Sequence, residues 1–354
     1  MSENKNYRIK DIALLAGVSE GTVDRVLHSR GNVSDSAFTK VNEILNKINY
    51  KPNLIARSLG RGLKQRIAVL SVDPKDDPYW NEVHKGILQA QDEWNQYGIT
   101  IDTYFFMHDG EHSFEHVAER ALDTEPHGLV MAPIFHPPAL AVIESLKEYN
   151  LPYILFNTDI PKSEAMSFIG QNLYDSGKLA GFLCSLGQNT TDRYEILTVG
   201  EDTKDSVYLS EKENGFRDYF HDNSLNNEIH NYVLAMDSHE FHAYMDKILS
   251  DRDLKGIFIT TSKATPVVSE KIYASKRKDI RLVAYDLLES NLKYLDTGII
   301  SFLINQNPKR QAFMGISHMV NYLLFNKTIP REDLFPLEII TRHNVNSYLN
   351  SIIH

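Results

Sequence analysis

Cysteine is almost absent from this sequence, and long apolar runs are absent altogether. The one cysteine among 354 residues, Cys184, lies in the apolar segment LAGFLCSL, which excludes an internal disulfide and a CxxC redox or zinc pair. We expect Cys184 to be a core residue. No stretch approaches the roughly eighteen apolar residues of a membrane-spanning helix, and the start, MSENKNYRIK, lacks the apolar segment of a secretory signal. The chain is therefore expected to remain in the cytoplasm.

Motifs of catalysis and cofactor binding are also missing. No GxGxxG, GxxxxGKS/T or GxSxG string occurs, so dinucleotide-binding, phosphate-loop and hydrolase functions lack their usual sequence support. The string HSFEH at 112–116 matches the HxxEH arrangement of some zinc proteases, but no further ligand motif accompanies it, and we interpret it as part of a solvated helix. The sequence thus predicts no cofactor, no metal site and no enzyme activity.

Charge is unevenly distributed along the chain. The whole chain carries 37 Lys and Arg against 47 Asp and Glu, a net charge of -10, which taken alone argues against a protein that binds nucleic acid. Residues 1–66 nevertheless have a net charge of +6, whereas the remaining 288 residues have a net charge of -16 and would repel a phosphate backbone. Any contact with DNA is therefore expected to come from the N-terminal segment.

The N-terminal segment has the apolar spacing of three short helices. Apolar residues recur at helical spacing from Ile9 to Ala16, and Gly17 is suited to ending that helix with a positive φ. Ser19 is a good N-cap for a second helix, which would begin only two residues after Gly17. Two short helices joined by so tight a turn are typical of a helix-turn-helix, although an ordinary three-helix unit would show the same spacing. A third helix is predicted from Ser34. Its expected apolar face consists of Phe38, Val41, Ile44, Leu45 and Ile48.

One family match is more specific than this spacing. The strings IKDIA, AGVS, TV, RVL, VS and NYKPN, which begin at Ile9 and end at Asn53, resemble the DNA-binding head of the lactose-repressor (LacI/GalR) family along its full length. The resemblance implies a second helix that lies in the major groove of DNA. By position, it implies base-reading roles for Glu20, Gly21 and Arg25, and phosphate-contacting or capping roles for Ser19, Thr22, Asn32 and Ser34.

Two residues of the second helix depart from the family pattern. Asp24 stands where the family usually has serine, and an acid close to the expected phosphate path would weaken DNA binding unless it pairs with Arg25 or accepts from a cytosine amino group. Gly21 removes a base-reading side chain, whereas Arg25 can address a guanine with two hydrogen bonds. The operator sequence therefore cannot be transferred from other family members.

The segment after Pro52 has the composition of a short helix and a flexible basic linker. Helix-forming residues extend from Asn53 to Leu59, but a helix of this length is marginal in water, so we expect it to be ordered only with a partner. In the family, two such segments pack together and insert a leucine into a minor-groove base step. The resemblance assigns that role to Leu59, close helix approach to Ala56 and a DNA contact to Asn53. A plain linker is the alternative.

From Arg66 onward, apolar runs alternate with amphipathic helical segments, which predicts βαβ units and parallel sheets. The runs are too numerous for one sheet, so we expect two doubly wound lobes. Ligands of such sheets bind beyond the carboxyl ends of the strands. The predicted strands lie at 67–72, 103–106, 129–132, 153–156, 195–199, 257–260, 281–285 and 301–304, and the predicted helices at 80–97, 113–122, 173–186 and 211–220.

The residues that follow these apolar runs suit a sugar site, which needs aromatic faces for stacking and fixed polar groups for hydroxyls. The pattern resembles the effector domain of the same family and the related periplasmic sugar-binding proteins over nearly all of 66–354. Asn157, which follows the run 153–156, matches a family position that binds sugar hydroxyls. The candidate effector-binding residues are Asp77, Tyr79, Trp80, Asn157, Asp159, Lys212, Ser262, Asp286 and Gln306.

Several of these candidates have alternative roles. Tyr79 and Trp80 match an aromatic pair of the family, but large aromatic side chains are usually partly buried and could simply cover the core. Asp286 and Gln306 match hydroxyl-binding positions and could instead cap a helix. Lys212 stands where the family often has arginine, so that a bidentate donor becomes a point charge.

The expected architecture is a small all-α helix-turn-helix head joined to an α/β, two-lobed, periplasmic-binding-protein-like domain with two doubly wound parallel sheets. The expected boundaries are 1–51 for the head, 52–65 for the hinge helix and linker, and 66–354 for the effector domain, with an N-lobe at about 66–170 and 305–335 and a C-lobe at about 171–304 and 336–354.

The expected function is regulation of transcription, above all repression, by a homodimer on a pseudo-palindromic operator. A small-molecule effector, first of all a sugar, is expected to control DNA binding. A purine or a sugar phosphate is the alternative effector, although Lys212 as the sole obvious cation among the candidates modestly favours a neutral sugar over a phosphate. The alternative of another class is a sugar-modifying α/β enzyme with a DNA-binding head. An inducer and a corepressor would use the same parts.

Overall fold

The chain forms two compact units, residues 1–63 and residues 64–354. A computed structural model describes residues 7–27, 31, 33–48, 64–75, 77–107, 113–200 and 207–352. Within these ranges, no helix combines the length and the apolar character needed to cross a membrane. Four of the predicted DNA-binding residues lie outside the described residues: Asn32, Asn53, Ala56 and Leu59.

The smaller unit contains the three helices that the sequence predicts. Gly17 ends the first helix with a φ of 63°. Ser19 Oγ accepts a hydrogen bond from Thr22 N at 3.2 Å, and Ser34 Oγ accepts one from Ala37 N at 3.4 Å, so both serines cap the helices that follow them. The helices are α1 (Ile9–Ala16), α2 (Glu20–Leu27) and α3 (Asp35–Lys47).

A small apolar core joins these helices. Its buried residues come mainly from α1 and α2, and α3 contributes Val41, with Ile44 and Ile48 packed beside it. The prediction that Phe38 belongs to this core is wrong, because its side chain is 52% exposed. Among the described residues, this core consists of side chains from α1, α2 and the later part of α3 and its neighbours in sequence, and it does not include the first turn of α3.

The larger unit alternates strands and helices throughout. In chain order, the strands are β1 (Gln65–Val72), β2 (Ile99–Phe106), β3 (Gly128–Met131), β4 (Tyr153–Phe156), β5 (Ser167–Gly170), β6 (Arg193–Val199), β7 (Ile229–Leu234), β8 (Leu254–Ile259), β9 (Arg281–Tyr285), β10 (Ile300–Asn305), β11 (Glu332–Leu334) and β12 (Glu338–Ile340). The helices are α4 (Pro78–Asn95), α5 (Phe114–Leu122), α6 (His136–Glu148), α7 (Leu173–Ser185), α8 (Val207–Asp222), α9 (His239–Ser250), α10 (Thr265–Ser275), α11 (Glu289–Asp296), α12 (Pro308–Phe325) and α13 (Val345–Ile352).

Two sheets of six strands form two lobes, as predicted. The N-lobe sheet has the order β11-β5-β4-β3-β1-β2 and the C-lobe sheet the order β12-β10-β9-β8-β6-β7. All neighbouring strands are parallel except β10 and β12. Because helices cover both faces, the central strands are almost entirely apolar and buried. The two lobes repeat one strand order, so β4 and β9 occupy equivalent places.

The chain crosses between the lobes three times, and Gln171 links the three crossings. Gln171 directly follows β5, and its Nε2 donates to Asn305 O at 2.9 Å and to Pro336 O at 2.8 Å. Asn305 ends β10, and Pro336 lies between β11 and β12. One buried side chain therefore ties together all three connections.

Candidate functional site

A cavity of about 360 Å³ lies between the lobes, beyond the carboxyl ends of the strands. This is the place where a doubly wound topology positions ligands, and the volume falls in the range of about 300–1,000 Å³ typical of small-molecule sites. The described residues that line it from the N-lobe are Asp77, Tyr79, Trp80, Ile134, Phe135, Pro137, Pro138, Asn157 and Thr158. Those that line it from the C-lobe and the connections are Leu173, Gly200, Tyr208, Lys212, Thr260, Thr261, Ser262 and Gln306.

The start of α4 places an aromatic pair at the cavity. Asp77 Oδ1 accepts a hydrogen bond from Tyr79 N at 2.8 Å, and Pro78 occupies the first helical position, so both residues fix where the helix begins. The rings of Tyr79 and Trp80 pack edge to face with centroids 5.2 Å apart. Both rings are largely buried. The pair therefore belongs to the N-lobe core and to the cavity wall at once.

Asn157, at the end of β4, holds the hydroxyl of Tyr79. The backbone of Asn157 has a φ of 69°, a left-handed conformation that asparagine tolerates better than most residues. Its Nδ2 donates to Tyr79 Oη at 2.6 Å, and its Oδ1 accepts from Thr158 Oγ1 at 3.0 Å. Burial, reinforced by the charge of Asp286, raises the pKa of Tyr79 well above its usual value. Tyr79 is therefore a neutral phenol that can donate its hydroxyl hydrogen to a ligand.

Lys212 brings a buried positive charge to the C-lobe wall. It lies on α8, which approaches α7 closely because a Cβ at Gly177 would lie 2.1 Å from Lys212 O, and a Cβ at Gly215 would lie 1.9 Å from a backbone oxygen of α7. The Nζ atom donates to Thr260 O at 3.0 Å and lies 3.9 Å from the centre of the Tyr285 ring. The side chain is 3% exposed. Gly177 and Gly215 thus allow the close helix packing that positions the ammonium group of Lys212.

Asp286, at the end of β9, is fully buried behind two residues of the cavity wall. Its Oδ1 accepts from Gln306 N at 2.9 Å, and its Oδ2 accepts from Gln306 Nε2 at 2.7 Å and from Ser262 Oγ. Burial raises the pKa of Asp286, and the hydrogen bonds from Ser262 and Gln306 and the charge of Lys212 oppose this rise. The carboxyl group therefore orients Ser262 and Gln306, which line the cavity.

Seven of the nine predicted effector residues line the cavity, and Asp286 and Asp159 do not. Asp286 lies directly behind the wall, whereas Asp159 lines a neighbouring cavity of about 320 Å³ beside Glu332. Burial raises the pKa of Asp159. Within the described ranges, no group of three or more His, Cys, Asp or Glu side chains could hold a metal ion. Direct contact of each predicted residue with an effector stays a prediction.

The sequence-based set omits part of the cavity wall. Ile134, Phe135 and the two prolines after them follow β3, and Thr260 and Thr261 follow β8. The rule that ligands bind beyond the carboxyl ends of strands would have pointed to both segments. Apolar side chains and threonines after a strand stand out less in a sequence than aromatic pairs, amides and carboxylates, so the sequence-based set lacks both segments.

In the head, the predicted base-reading residues lie on the outer side of α2. Glu20, Gly21 and Arg25 are exposed, while the apolar residues of α2 face the core. Ser19 and Thr22 contact each other through their hydroxyl oxygens at 2.9 Å, in addition to the capping hydrogen bond. Their first role is therefore to start α2, and Arg25 stands one turn further on an accessible face.

Two family models match the chain, one for each unit. The model described as bacterial regulatory proteins, lacI family, matches residues 8–53. The model described as periplasmic binding protein domain matches residues 67–327, about three quarters of the chain. The two matches together cover the three-helix head and most of both lobes.

Individual relatives match parts of the chain. The chain is 39% identical over 99 residues to the HTH-type transcriptional regulator MalR of Streptococcus pneumoniae serotype 4, over 27% of this chain and 30% of MalR. It is 39% identical over 93 residues to the ribose operon repressor of Bacillus subtilis, over 26% of this chain and 27% of that protein. A crystal structure of a candidate LacI transcriptional regulator from Bacteroides fragilis superposes with a TM-score of 0.73 at 26% identity, over 81% of this chain and 100% of that chain. The matches to these two curated relatives thus span less than a third of their length.

Proposed function

Because the chain belongs to the lacI family of bacterial regulatory proteins, with a periplasmic binding protein domain as its larger unit, we propose that it is a cytoplasmic transcription regulator. Its head binds operator DNA, and its cavity binds a small-molecule effector that controls this binding. The observation that carries the proposal is the cavity between the two lobes, which lies in the same chain as a helix-turn-helix head with an exposed second helix.

The chemistry of the cavity favours a sugar as the effector. The amides of Asn157 and Gln306, the hydroxyls of Tyr79 and Ser262 and the ring of Trp80 combine fixed hydrogen-bonding groups with aromatic surface, which is what a hydroxylated ring with apolar faces requires. The similarity to a ribose operon repressor is consistent with this choice. A purine or a sugar phosphate is the alternative, and Lys212 is the group that would favour a phosphate.

An enzyme with a DNA-binding head is the alternative of another class. It would need a base or a nucleophile poised beside the ligand. The carboxyl groups of Asp77 and Asp286 have structural partners instead, because Asp77 caps α4 and Asp286 orients Ser262 and Gln306. Recovery of the bound sugar chemically unchanged after incubation with the protein would support a regulator, and its conversion would support an enzyme.

DNA binding is assigned to residues 1–66, whose net charge of +6 contrasts with the net charge of -16 beyond them. We propose a homodimer whose two heads occupy the half-sites of a pseudo-palindromic operator. Arg25 and Glu20 address base edges, and the residues named for the hinge, among them Leu59, contact the minor groove. The acidic larger unit then contributes sensing and dimerisation rather than affinity for phosphate.

Because the effector cavity lies between two lobes, effector binding there can be coupled to DNA binding by the head. An effector that contacts both walls favours a closed arrangement of the lobes, and the three crossings joined by Gln171 carry the relative movement. By linkage, DNA and effector must then change each other's affinity by the same factor. Repression relieved by an inducer is the simplest form, and a corepressor would use the same parts.

The test combines two measurements on the purified chain. A thermal-shift panel of mono- and disaccharides, nucleobases and sugar phosphates identifies the effector class, because a ligand that binds only the folded state raises its melting temperature. A gel-shift assay on DNA upstream of the gene then measures binding at several salt concentrations, with and without that ligand. We expect a sequence-specific, salt-dependent shift that the ligand changes. A protein that shifts no such DNA under either condition would refute the proposal.

A further inference from the structure

The N-terminus of α6 forms part of the cavity wall and has few hydrogen-bond donors. A helix N-terminus normally offers four unpaired backbone N–H groups, but α6 begins at His136 and continues with Pro137 and Pro138, which have no N–H. The N-cap residue is Phe135, whose side chain makes no capping hydrogen bond. Together with Ile134, these residues line the cavity with apolar side chains. We call Ile134, Phe135, Pro137 and Pro138 the α6 wall.

Packing holds the α6 wall in place. The ring of Phe135 lies edge to face with that of Phe106, with centroids 5.9 Å apart. Phe106 is fully buried and packs in turn on Phe114 at 4.9 Å. The backbone N–H of Ile134 donates to Ala132 O at 2.9 Å, so this donor is also used within the chain. This packing therefore keeps the apolar side chains of the α6 wall at the cavity, and His136, which lies between them in sequence, is not among the residues that line it.

The C-lobe side of the cavity has the opposite chemistry. Thr260, Thr261 and Ser262 carry hydroxyls, Lys212 an ammonium group, and Gln306 an amide. A ligand in the cavity thus meets hydrogen-bonding groups from the C-lobe and the crossing and from Tyr79 and Asn157 of the N-lobe, whereas the α6 wall offers it an apolar surface. A ligand hydroxyl against the α6 wall would lose its water without gaining a partner, whereas a methyl, alkyl or aryl group there would gain from burial.

We infer that the effector is a sugar with an apolar substituent, a deoxy carbon or an alkyl or aryl aglycone, which packs on the α6 wall while the sugar hydroxyls face the hydrogen-bonding groups of the C-lobe and those of Tyr79 and Asn157. This inference rests on the proposed function, because it names the class of ligand for the same cavity. It predicts that a fully hydroxylated monosaccharide binds less tightly than its apolar counterpart of the same stereochemistry.

Matched pairs of sugars test the inference by isothermal titration calorimetry on the full chain. The pairs are L-rhamnose with L-mannose, L-fucose with L-galactose, and methyl and phenyl β-D-glucosides with D-glucose. We expect the apolar member of at least one pair to bind about tenfold or more tightly than its partner, because a buried methyl or aryl group replaces an unsatisfied hydroxyl. Equal or weaker binding by the apolar members of all pairs that bind would overturn the inference and leave the proposed function standing.

Two variants locate the preference on the α6 wall. Phe135→Ser removes the ring, whereas Phe135→Tyr retains the packing against Phe106 and adds a hydroxyl. Phe135→Tyr should therefore fold even if Phe135→Ser destabilises the lobe. Both variants should reduce the tenfold ratio between the affinities of the apolar and the hydroxylated sugar to about threefold or less. Leu140→Ser is the control, because Leu140 lies on the same helix, is 39% exposed and does not line the cavity. This variant should retain the tenfold ratio. An unchanged ratio in Phe135→Tyr would overturn the inference. Failure of every sugar to bind would refute sugar sensing itself, and the inference with it.

Discussion

Gln306 donates two hydrogen bonds to the carboxyl group of Asp286, one from its backbone N–H to Oδ1 at 2.9 Å and one from Nε2 to Oδ2 at 2.7 Å. Asp286 directly follows the strand β9 of the C-lobe, and Gln306 directly follows β10, where the chain crosses to the N-lobe. Because Gln306 also lines the cavity, a ligand that contacts its side chain acts on a residue of the crossing. Asp286 is therefore a positioning residue for both the site and the connection.

The first prediction concerns Asp286→Asn. The substitution retains the volume but replaces one acceptor oxygen by an NH2 group, which then faces the donors Gln306 and Ser262. A buried donor without an acceptor costs about 1–3 kcal/mol, so the free energy of unfolding should fall by that amount, as measured by urea denaturation. Affinity for the ligand found in the thermal-shift panel should fall about tenfold, since the two donors that line the cavity lose their orientation.

Asp159→Asn is the matched control for this variant. Asp159 is a carboxylate of the same unit that, unlike Asp286, is only partly buried, and it lines the neighbouring cavity. Its replacement should change effector affinity by about twofold or less, because Asp159 lines that second cavity and not the one between the lobes. Equal losses of affinity in both variants would contradict the role assigned to Asp286.

The second prediction concerns the pH dependence of stability. Burial raises the pKa of Asp286 above its value of about 3.9 in an unfolded chain. Between the unfolded and the folded pKa, the folded state binds more protons, so the contribution of Asp286 to stability falls as pH rises through this interval. Asp286→Asn lacks this contribution. The stability of the natural protein relative to the variant should therefore decrease from pH 4 upward, in urea titrations across about pH 4–8. A relative stability that increases with pH would reverse the sign and contradict the prediction.

Much of the fold could be predicted because parallel strands in a two-lobed α/β protein are buried on both faces. The apolar runs at 153–156 and 281–285 coincide with β4 and β9 for this reason. The sequence does not predict the edge strand β7, because five of its six residues, Ile229 to Val233, are partly or fully exposed and polar residues interrupt the apolar pattern. Phe38 was misplaced because helical spacing alone does not show where a neighbouring helix ends.

The sequence predicts those site residues that are polar and follow an apolar strand. It does not predict the site residues that are apolar and follow an apolar strand. Asn157 and Gln306 were found by that contrast. Phe135 and Pro138 were not, because an apolar residue after an apolar strand gives no change of pattern. The burial of Asp286 behind the wall could not be predicted either, since it depends on Ser262 and Gln306 from two other strand ends.

The third prediction distinguishes a neutral sugar from a phosphorylated one. Lys212→Met retains most of the apolar stem but loses the hydrogen bond to Thr260 O and the positive charge. For a neutral sugar, affinity should fall about tenfold or less, and the loss should not depend on ionic strength. For a phosphate, which forms charge-assisted hydrogen bonds, the loss should reach about a hundredfold. Calorimetry at low and high salt separates the two cases.

Lys178→Met is the control for changes in helix packing. Lys178 lies on α7 and pairs at 2.6 Å with Asp222 of α8, so its loss perturbs the same helix pair without touching the cavity. It should leave effector affinity within about twofold, as a partly exposed ion pair contributes little. If Lys178→Met and Lys212→Met lower affinity equally, the effect of Lys212 is structural and not a contact with the ligand.

The fourth prediction concerns Asp24 in the helix α2 that should enter the major groove. Asp24 precedes the exposed Arg25, and a carboxylate near the phosphates opposes binding, so Asp24→Ser should raise operator affinity about three- to tenfold at low salt and less at high salt, where screening weakens the repulsion. Glu43→Ser, at an exposed position of α3, should change affinity less, as measured by gel shift. The opposite result for Asp24→Ser, a loss of affinity that disappears when one cytosine of the operator is replaced, would show that Asp24 accepts a hydrogen bond from that base. Asp24 would then be part of what selects the operator, and the departure from the family pattern would be a change of specificity.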